Sequence, residues 1–260
     1  MKFEQAILGG SIKFFRKGFM DRWGFKDYHD IDKPAVFFGL DSPDMFEKFK
    51  KHKGYKIFLP STPNELNYSQ LIEAAPEKTI MLWSGDDSGK IKKRINFLKY
   101  SSDIVEIKDY SIFKPNTLGD KIYYYSGFKN GWASWSQDIV KEIQKNIDFE
   151  LFTTEHNYIQ DYHDITYLKN NYYDKAFLNL NILGKHGITT VIEMGLMGRK
   201  TITMRKKKLY NYSSFIDCFN IEEIVRQINI ESKKINTVQE KIDVHTLGVE
   251  WLDLNFWLNK

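Results

Sequence analysis

Apolar residues come in short runs that end in clusters of Gly, Ser, Asp or Pro, and segments with helical spacing lie between the runs. Ala35–Leu40 is one such run, closed by Asp41-Ser-Pro and followed by a helical stretch from Asp44. Tyr55–Leu59 ends at Pro60-Ser-Thr-Pro63. Thr79–Trp83 ends at Ser84-Gly-Asp-Asp-Ser-Gly89, a basic helix-like stretch comes behind it, and Ile104–Ile107 is next. Short strands alternating with helical segments predict an α/β fold on a largely parallel sheet.

Pro115-Asn-Thr-Leu-Gly-Asp120 has the residues of a turn or linker, and the alternation restarts beyond it. Lys121–Tyr125 reads as a strand and Gly127–Trp132 as a loop. Ser134–Asn146 reads as a helix, with Trp135, Ile139 and Ile143 at helical spacing and Ser134 or Ser136 as its cap. Phe149–Thr153, Ile165–Leu168 and Ala176–Leu180 read as three further strands. Thr189–Met197 opens a helix, Lys200–Met204 is a strand, and Ile221–Ile230 is an amphipathic helix. The expected architecture is two Rossmann-like units, residues 1–115 and 116–245, with 246–260 as a C-terminal helix crossing back onto the first. A ligand then belongs outside the carboxyl ends of the strands, in the cleft between the halves.

Composition narrows the class. The 260 residues are 42% hydrophobic and 28% charged, as in a folded chain rather than a disordered one. The net charge of +4 is small, and the cations fall in short runs, Lys48–Lys53, Lys90–Arg94 and Arg205–Lys208, that read as solvated faces. No nucleic-acid partner is expected. The third run follows a strand of the second half, where it could meet a phosphate. Cys218 is the single cysteine, which excludes an internal disulfide and a Cys-based metal cluster, and the six histidines show no metal spacing on one helix. No apolar run reaches the ~20 residues needed to span a bilayer. Glu4 and Gln5 stand where a signal peptide would be apolar, so a cytoplasmic location is expected. Lys13, Arg16, Lys17 and Arg22, set among Phe14, Phe15, Phe19 and Trp23, suit either a membrane surface or an acceptor-site flap. Trp132, Trp135, Trp251, Phe256 and Trp257 read as core before sugar platforms.

The segment Gly187-Ile-Thr-Thr-Val-Ile-Glu193 follows an apolar strand and opens a helix. Free N–H groups and the positive end of the macrodipole make such a helix start an anion site. Thr189 and Thr190 add hydroxyls for phosphate oxygens, and Glu193, one turn in, is a carboxylate that could accept from two vicinal ribose hydroxyls. The plainer reading is an N-capped helix whose Glu complements the dipole.

The longer run Tyr172–Ile202 is similar to the donor-binding segment of GT-B glycosyltransferases: a short helix, an apolar strand, a Gly-containing loop, a helix bearing Glu, then Gly and a strand. Lys114–Gly127 resembles the family's interdomain linker and first C-terminal strand, and Thr79–Asp87 a strand and Gly-Asp loop of some N-terminal halves. The resemblance implies metal-independent transfer of a sugar from a UDP- or GDP-linked donor to an acceptor hydroxyl of a glycan. It sets Glu193 on the donor ribose and Thr189 and Thr190 on the pyrophosphate, and His186 and Gly187, in the loop before them, are further candidates for binding the donor. It sets the loop after Phe152 and a strand around Tyr167 and Leu168 at the nucleobase. Lys129, Arg199 and Arg205 are the cations for the leaving diphosphate, Lys129 being the best placed. The chain departs from the family eight residues before Glu193, where Lys185 stands in place of Glu.

An inverting mechanism needs a general base. The candidates are Asp41, Asp86, Asp87 and His29, at strand ends of the first half. Asp86-Asp87 alternatively resembles the metal-binding pair of a GT-A enzyme, which would hold the diphosphate through a divalent ion. Two further alternatives are a sugar- or nucleotide-binding module of glycosyltransferase-like fold without turnover, and an epimerase-like α/β enzyme.

Overall fold

The computed structural model describes residues 1–9, 16–40, 42–60, 77–82, 99–101, 105–124, 134–153, 165–182, 188–204, 214–242 and 246–260. The chain forms two compact units, Met1–Asp109 with His245–Lys260, and Tyr110–Val244. Each carries its own parallel sheet.

In the first unit the strands are β1 (Gln5–Leu8), β2 (Lys26–Asp27), β3 (Ala35–Phe38), β4 (Lys56–Leu59), β5 (Thr79–Leu82) and β6 (Lys99–Ser101). They lie in the order β2-β1-β3-β4-β5-β6, every pair parallel. A parallel neighbour can be reached only by a crossover, so α1 (Arg16–Trp23) follows β1 and α2 (Pro43–Lys51) follows β3. Successive side chains point to opposite faces. Val36, Phe38, Ile57, Leu59, Ile80 and Leu82 join Phe19 and Met20 of α1 in one core. Phe37 and Phe58 meet Phe49 of α2 on the other face, with ring centroids 5.1 and 5.7 Å away. The end of the chain completes the α1 side. Leu247, Trp251 and, from α7 (Leu254–Asn259), Leu254 and Trp257 belong to the same core, and Trp257 Nε1 donates to the Trp251 carbonyl at 2.8 Å.

Local chemistry fixes the ends of α2. Ser42 caps it by accepting from the Met45 N–H at 3.3 Å, Pro43 occupies its first turn, and Lys48 pairs with Asp44 at 2.7 Å. At the other end Lys56, 1% exposed, donates to the carbonyls of Phe49 and His52 at 3.2 and 2.8 Å. A buried cation thus meets the negative end of the helix. Burial, then the charge of Lys78, holds the Lys56 pKa down at about 8. His52, also buried, sits with Nδ1 3.1 Å from the Tyr28 hydroxyl, and burial followed by the Lys56 charge lowers its pKa to about 4.

The second unit repeats the plan with β7 (Lys121–Tyr124), β8 (Leu151–Phe152), β9 (Ala176–Leu180), β10 (Lys200–Met204) and β11 (Phe215–Cys218), in the order β11-β10-β9-β7-β8 and parallel throughout. Its described helices are α3 (Ser134–Gln144), α4 (Ile165–Asn171), α5 (Ile188–Leu196) and α6 (Ile221–Glu231). Ile122, Leu178, Leu180, Ile202 and Cys218 form a core with Ile143 of α3 and with Ile224 and Ile228 of α6. The path from β7 to β8 and the path from β9 to β10 cross the sheet in opposite directions, so right-handed crossovers put α3 and α5 on opposite faces. The fold is α/β with two Rossmann-like units.

Three strand expectations need correction. Ile165–Leu168 belongs to helix α4. Ile, Thr and Tyr favour extended backbone locally, but the return from β8 to the parallel β9 demands a crossover helix, and tertiary context overrides propensity. Phe149–Thr153 pairs only over Leu151–Phe152. In the Ile104–Ile107 region the strand lies upstream, at Lys99–Ser101, while Val105 enters the first unit's core and the Glu106 carbonyl accepts from Trp23 Nε1 at 2.8 Å.

Helix α5 ends in a Schellman motif. The Arg199 N–H reaches the Met194 carbonyl at 2.8 Å and the Gly198 N–H reaches that of Gly195 at 2.9 Å, with Gly198 left-handed at φ 82°. A Cβ on Gly198 would stand 2.6 Å from the Gln239 carbonyl oxygen, whereas one on Gly195 would find its nearest neighbour, Ser214 Cβ, at 3.6 Å. Gly198→Ala should therefore cost about 2 kcal/mol or more in urea unfolding, and Gly195→Ala should be neutral or stabilising by up to about 1 kcal/mol. A second expectation concerns acid. The folded pKa of His52, about 4, lies below the ordinary 6.5, so between these values the unfolded chain binds the extra proton. Stability should fall as pH drops from 6.5 towards 4. The urea midpoint of His52→Gln should lack that part of the slope.

Candidate functional site

In the second unit β7 and β9 lie side by side, and the chain leaves them for opposite flanks of the sheet. Helices α3 and α5 accordingly start from this pair towards opposite faces. Such a switch point opens a crevice outside the carboxyl ends of the two strands, where α/β sheets take their ligands. The first turn of α5, Ile188–Thr190, stands at this edge. Its leading N–H groups have no intrahelical acceptor, and no acidic side chain stands in that turn to compete for the dipole. Thr189 is half-buried. Thr190 is fully buried, and its hydroxyl has no hydrogen-bond partner among the described residues. Lys129, Lys185, His186 and Gly187 belong to the segments that follow β7 and β9 and lie outside the described residues, as do Asp41, Asp86, Asp87 and Arg205.

Glu193 sits on the side of α5 that faces inward. It is fully buried, and its Oε2 accepts the Tyr173 hydroxyl at 2.8 Å. Tyr173 is held in turn by ring contacts with Tyr123 at 5.5 Å and Phe113 at 6.1 Å. The carboxylate thus ties the middle of α5 to the sheet and to the segment that enters β9. Leu168 is likewise fully buried, on α4, while Tyr167 next to it is 39% exposed with its ring against Tyr172. Tyr172 and Phe152 lie nearly parallel, 9° apart with centroids at 6.1 Å. An aromatic group including Tyr123, Phe152, Tyr167 and Tyr172 therefore occupies the β8 side of the unit.

Arg199 is not available to a leaving diphosphate. It precedes β10 and so lies at the amino edge of the sheet, opposite the crevice. Its guanidinium is fully buried and donates to the carbonyls of Ala176, Met197 and Thr117 at 2.8, 2.7 and 3.2 Å. Burial lowers its pKa to about 10 against the opposing pull of Asp174. It fastens the end of α5 to the start of β9 and to the segment entering β7. His29, the exposed candidate base of the first unit, has Nδ1 2.8 Å from the Asp27 carbonyl oxygen.

The structure adds a feature that motif reading passed over. Asn179, Thr201 and Thr203 are fully buried on the sheet face away from α6, and Asn179 Nδ2 donates to Thr201 Oγ1 at 3.0 Å. They give this face of the sheet a buried polar strip, while its other face is apolar. The signal was there to find: Asn179 interrupts an otherwise apolar strand, and Thr201 and Thr203 alternate with Ile202.

Among the described residues no group of three or more His, Cys, Asp or Glu is placed to hold a metal ion, and no helix is long and apolar enough to cross a membrane. A groove of about 700 Å³ opens between α3 and α6, lined by Glu142, Glu222, Arg226 and Ile230 among others, and lies between helices rather than at strand ends.

No protein-family model and no curated protein matches the chain. Among solved structures, a chain in the crystal structure of accessory secretory protein 1, 2 and 3 in Streptococcus pneumoniae is similar to it, with a TM-score of 0.42 and 11% identity. The match covers 77% of this chain and 48% of that one, so this chain spans about half of that chain's length.

If Glu193 is an anchor, removing its partner must be felt in stability. Tyr173→Phe should lower the unfolding free energy by about 1–3 kcal/mol, because the buried carboxylate loses a donor while the ring packing stays. An unchanged urea midpoint would refute that role.

Proposed function

We propose that the second unit binds the diphosphate of a nucleotide sugar at the start of α5, and that the protein is a metal-independent glycosyltransferase of GT-B type. The observation that carries this reading is the placement of an acid-free helix start, with Thr189 and Thr190 in its first turn, at the switch point between β7 and β9. Backbone N–H groups and the helix dipole there would oppose the charge that develops on a leaving nucleoside diphosphate. Thr189 would bond a phosphate oxygen, and Lys129 and His186, in the segments after β7 and β9, would supply positive charge. The aromatic group with Phe152 and Tyr167 would take the base, which is UDP- or GDP-type in this reading. Glu193 is then a positioning residue that acts on the ligand through the helix it holds. Asp41, Asp86 and Asp87 remain the candidates for the base that activates a glycan hydroxyl.

Two units, each with its own parallel sheet, favour this reading over a GT-A enzyme, which would use one continuous domain and a metal at Asp86 and Asp87. One observation favours a module that binds without turnover: Lys185 stands where the GT-B pattern has the Glu nearest the donor sugar.

Thermal unfolding in the presence of UDP, GDP and their sugars tests the binding step. A ligand at 100 times its Kd should add about 2.7 kcal/mol of stability, and Thr189→Ala should cost about tenfold in affinity without unfolding the chain. Release of free nucleoside diphosphate when glycan acceptors are added marks the enzyme. Binding with no release under any acceptor marks the module, and no stabilisation by any nucleotide removes the site.

A further inference from the structure

We infer that the protein pairs with a second copy of itself through α6, the two helices running antiparallel about a two-fold axis. This inference is independent of the diphosphate reading. One long face of α6, continued by the turn Ser232–Lys234, lines the groove of about 700 Å³ beside α3. Along it stand Glu222, Val225, Arg226, Asn229, Ile230 and Lys233. All but Val225 are exposed, Ile230 at 41%. The charges on this face differ from those around it. Glu223 accepts the Phe219 N–H at 2.7 Å, Lys234 pairs with Glu231 at 2.7 Å, and Glu142 across the groove pairs with Lys145 at 2.8 Å. Glu222, Arg226 and Lys233 have no ion-pair partner among the described residues, although Glu222 and Arg226 stand one turn apart.

The order of those charges selects the occupant. The face is acidic at the start of α6 and basic towards its end, so a partner of one sign meets repulsion at one end of it. The partner that fits carries the same signs in reverse, which a second copy of α6 does when it lies antiparallel. A two-fold axis level with the midpoint of Gln227 and Ile228 sets Glu222 against Lys233 of the second copy, Arg226 against Asn229 and Val225 against Ile230, each contact made twice. Opposite charges meet, Ile230 is covered where Val225 lines the groove, and the two helix dipoles oppose one another. A parallel arrangement would instead set Glu222 on Glu222 and Lys233 on Lys233. The seam, Ile221–Lys234, is about 20 Å long at the helical rise. Its size suits a weak dimer, with a dissociation constant on the order of 10 μM.

Sedimentation equilibrium of the full chain from about 1 to 200 μM tests the pairing. The mass should rise with concentration from 30.8 kDa towards twice that value. Glu222→Lys and Lys233→Glu, made separately, each set two like-charge pairs across the seam and should weaken association about tenfold or more. An equimolar mixture of the two variants should recover it, because both facing pairs regain opposite signs in the mixed dimer. The double variant should associate like the wild type. Both reversals oppose the dipole of α6, so damage to the helix itself would be worst in the double variant. A wild type that stays monomeric at 200 μM overturns the inference. So does a dimer whose affinity ignores the reversals, or one that neither the mixture nor the double variant restores.

Discussion

Every described strand in both units runs parallel to its neighbours, and almost everything else about the protein follows from that constraint. A parallel pair cannot be closed by a turn, so each strand needs a crossover that returns the chain to the same edge. The crossovers are right-handed, so their direction across the sheet decides which face each helix covers. Within each sheet the strand carboxyl ends then share one edge, and the helices that follow the strands start from it with their positive dipole ends. The first and third strands of each unit lie adjacent and feed opposite flanks. This is why the switch point falls between β7 and β9 and why α5 begins beside it.

Holding that helix start in place falls to buried polar side chains as well as to the apolar core. Glu193 fixes the middle of α5 through Tyr173, and Arg199 fixes its end through three carbonyls. In the first unit Lys56 performs a related service for α2, donating to the carbonyls that end it. Both cations enter just ahead of or at the start of a strand, where the preceding helix has ended and its last carbonyls face inward. An isolated buried charge is costly, and these are tolerated because each is met by carbonyl dipoles with good geometry. The polar layer of Asn179, Thr201 and Thr203 belongs to the same logic: it gives the α5 side of the sheet hydrogen-bonding capacity that the α6 side lacks.

Much of the fold was legible because periodicity and punctuation agreed. Ala35–Phe38, Lys56–Leu59, Thr79–Leu82, Ala176–Leu180 and Lys200–Met204 are short apolar or alternating runs with clear ends, and each is a strand. β1 and β11 carried weaker marks: Gln5 opens one, and Asp217 falls inside the other. Ile165–Leu168 misled because its residues favour extended backbone while its place in the chain requires a helix. In the candidate site the helix start with Thr189 and Thr190 was visible as a motif. The inward turn of Glu193 was not, because position along a helix does not reveal which neighbour supplies a phenolic donor.

By itself the sequence determined the alternation of short strands and helices and the helix that starts near Ile188. Those depend on local spacing, caps and turn residues, which act over a few positions. Only the tertiary structure decided the order of the strands, the edge on which Arg199 falls, the burial of Glu193 against Tyr173 twenty residues away, and the exposure of one face of α6. These depend on which elements pack together, and that is set by burying both faces of a parallel sheet at once, a condition no short stretch of chain can satisfy alone.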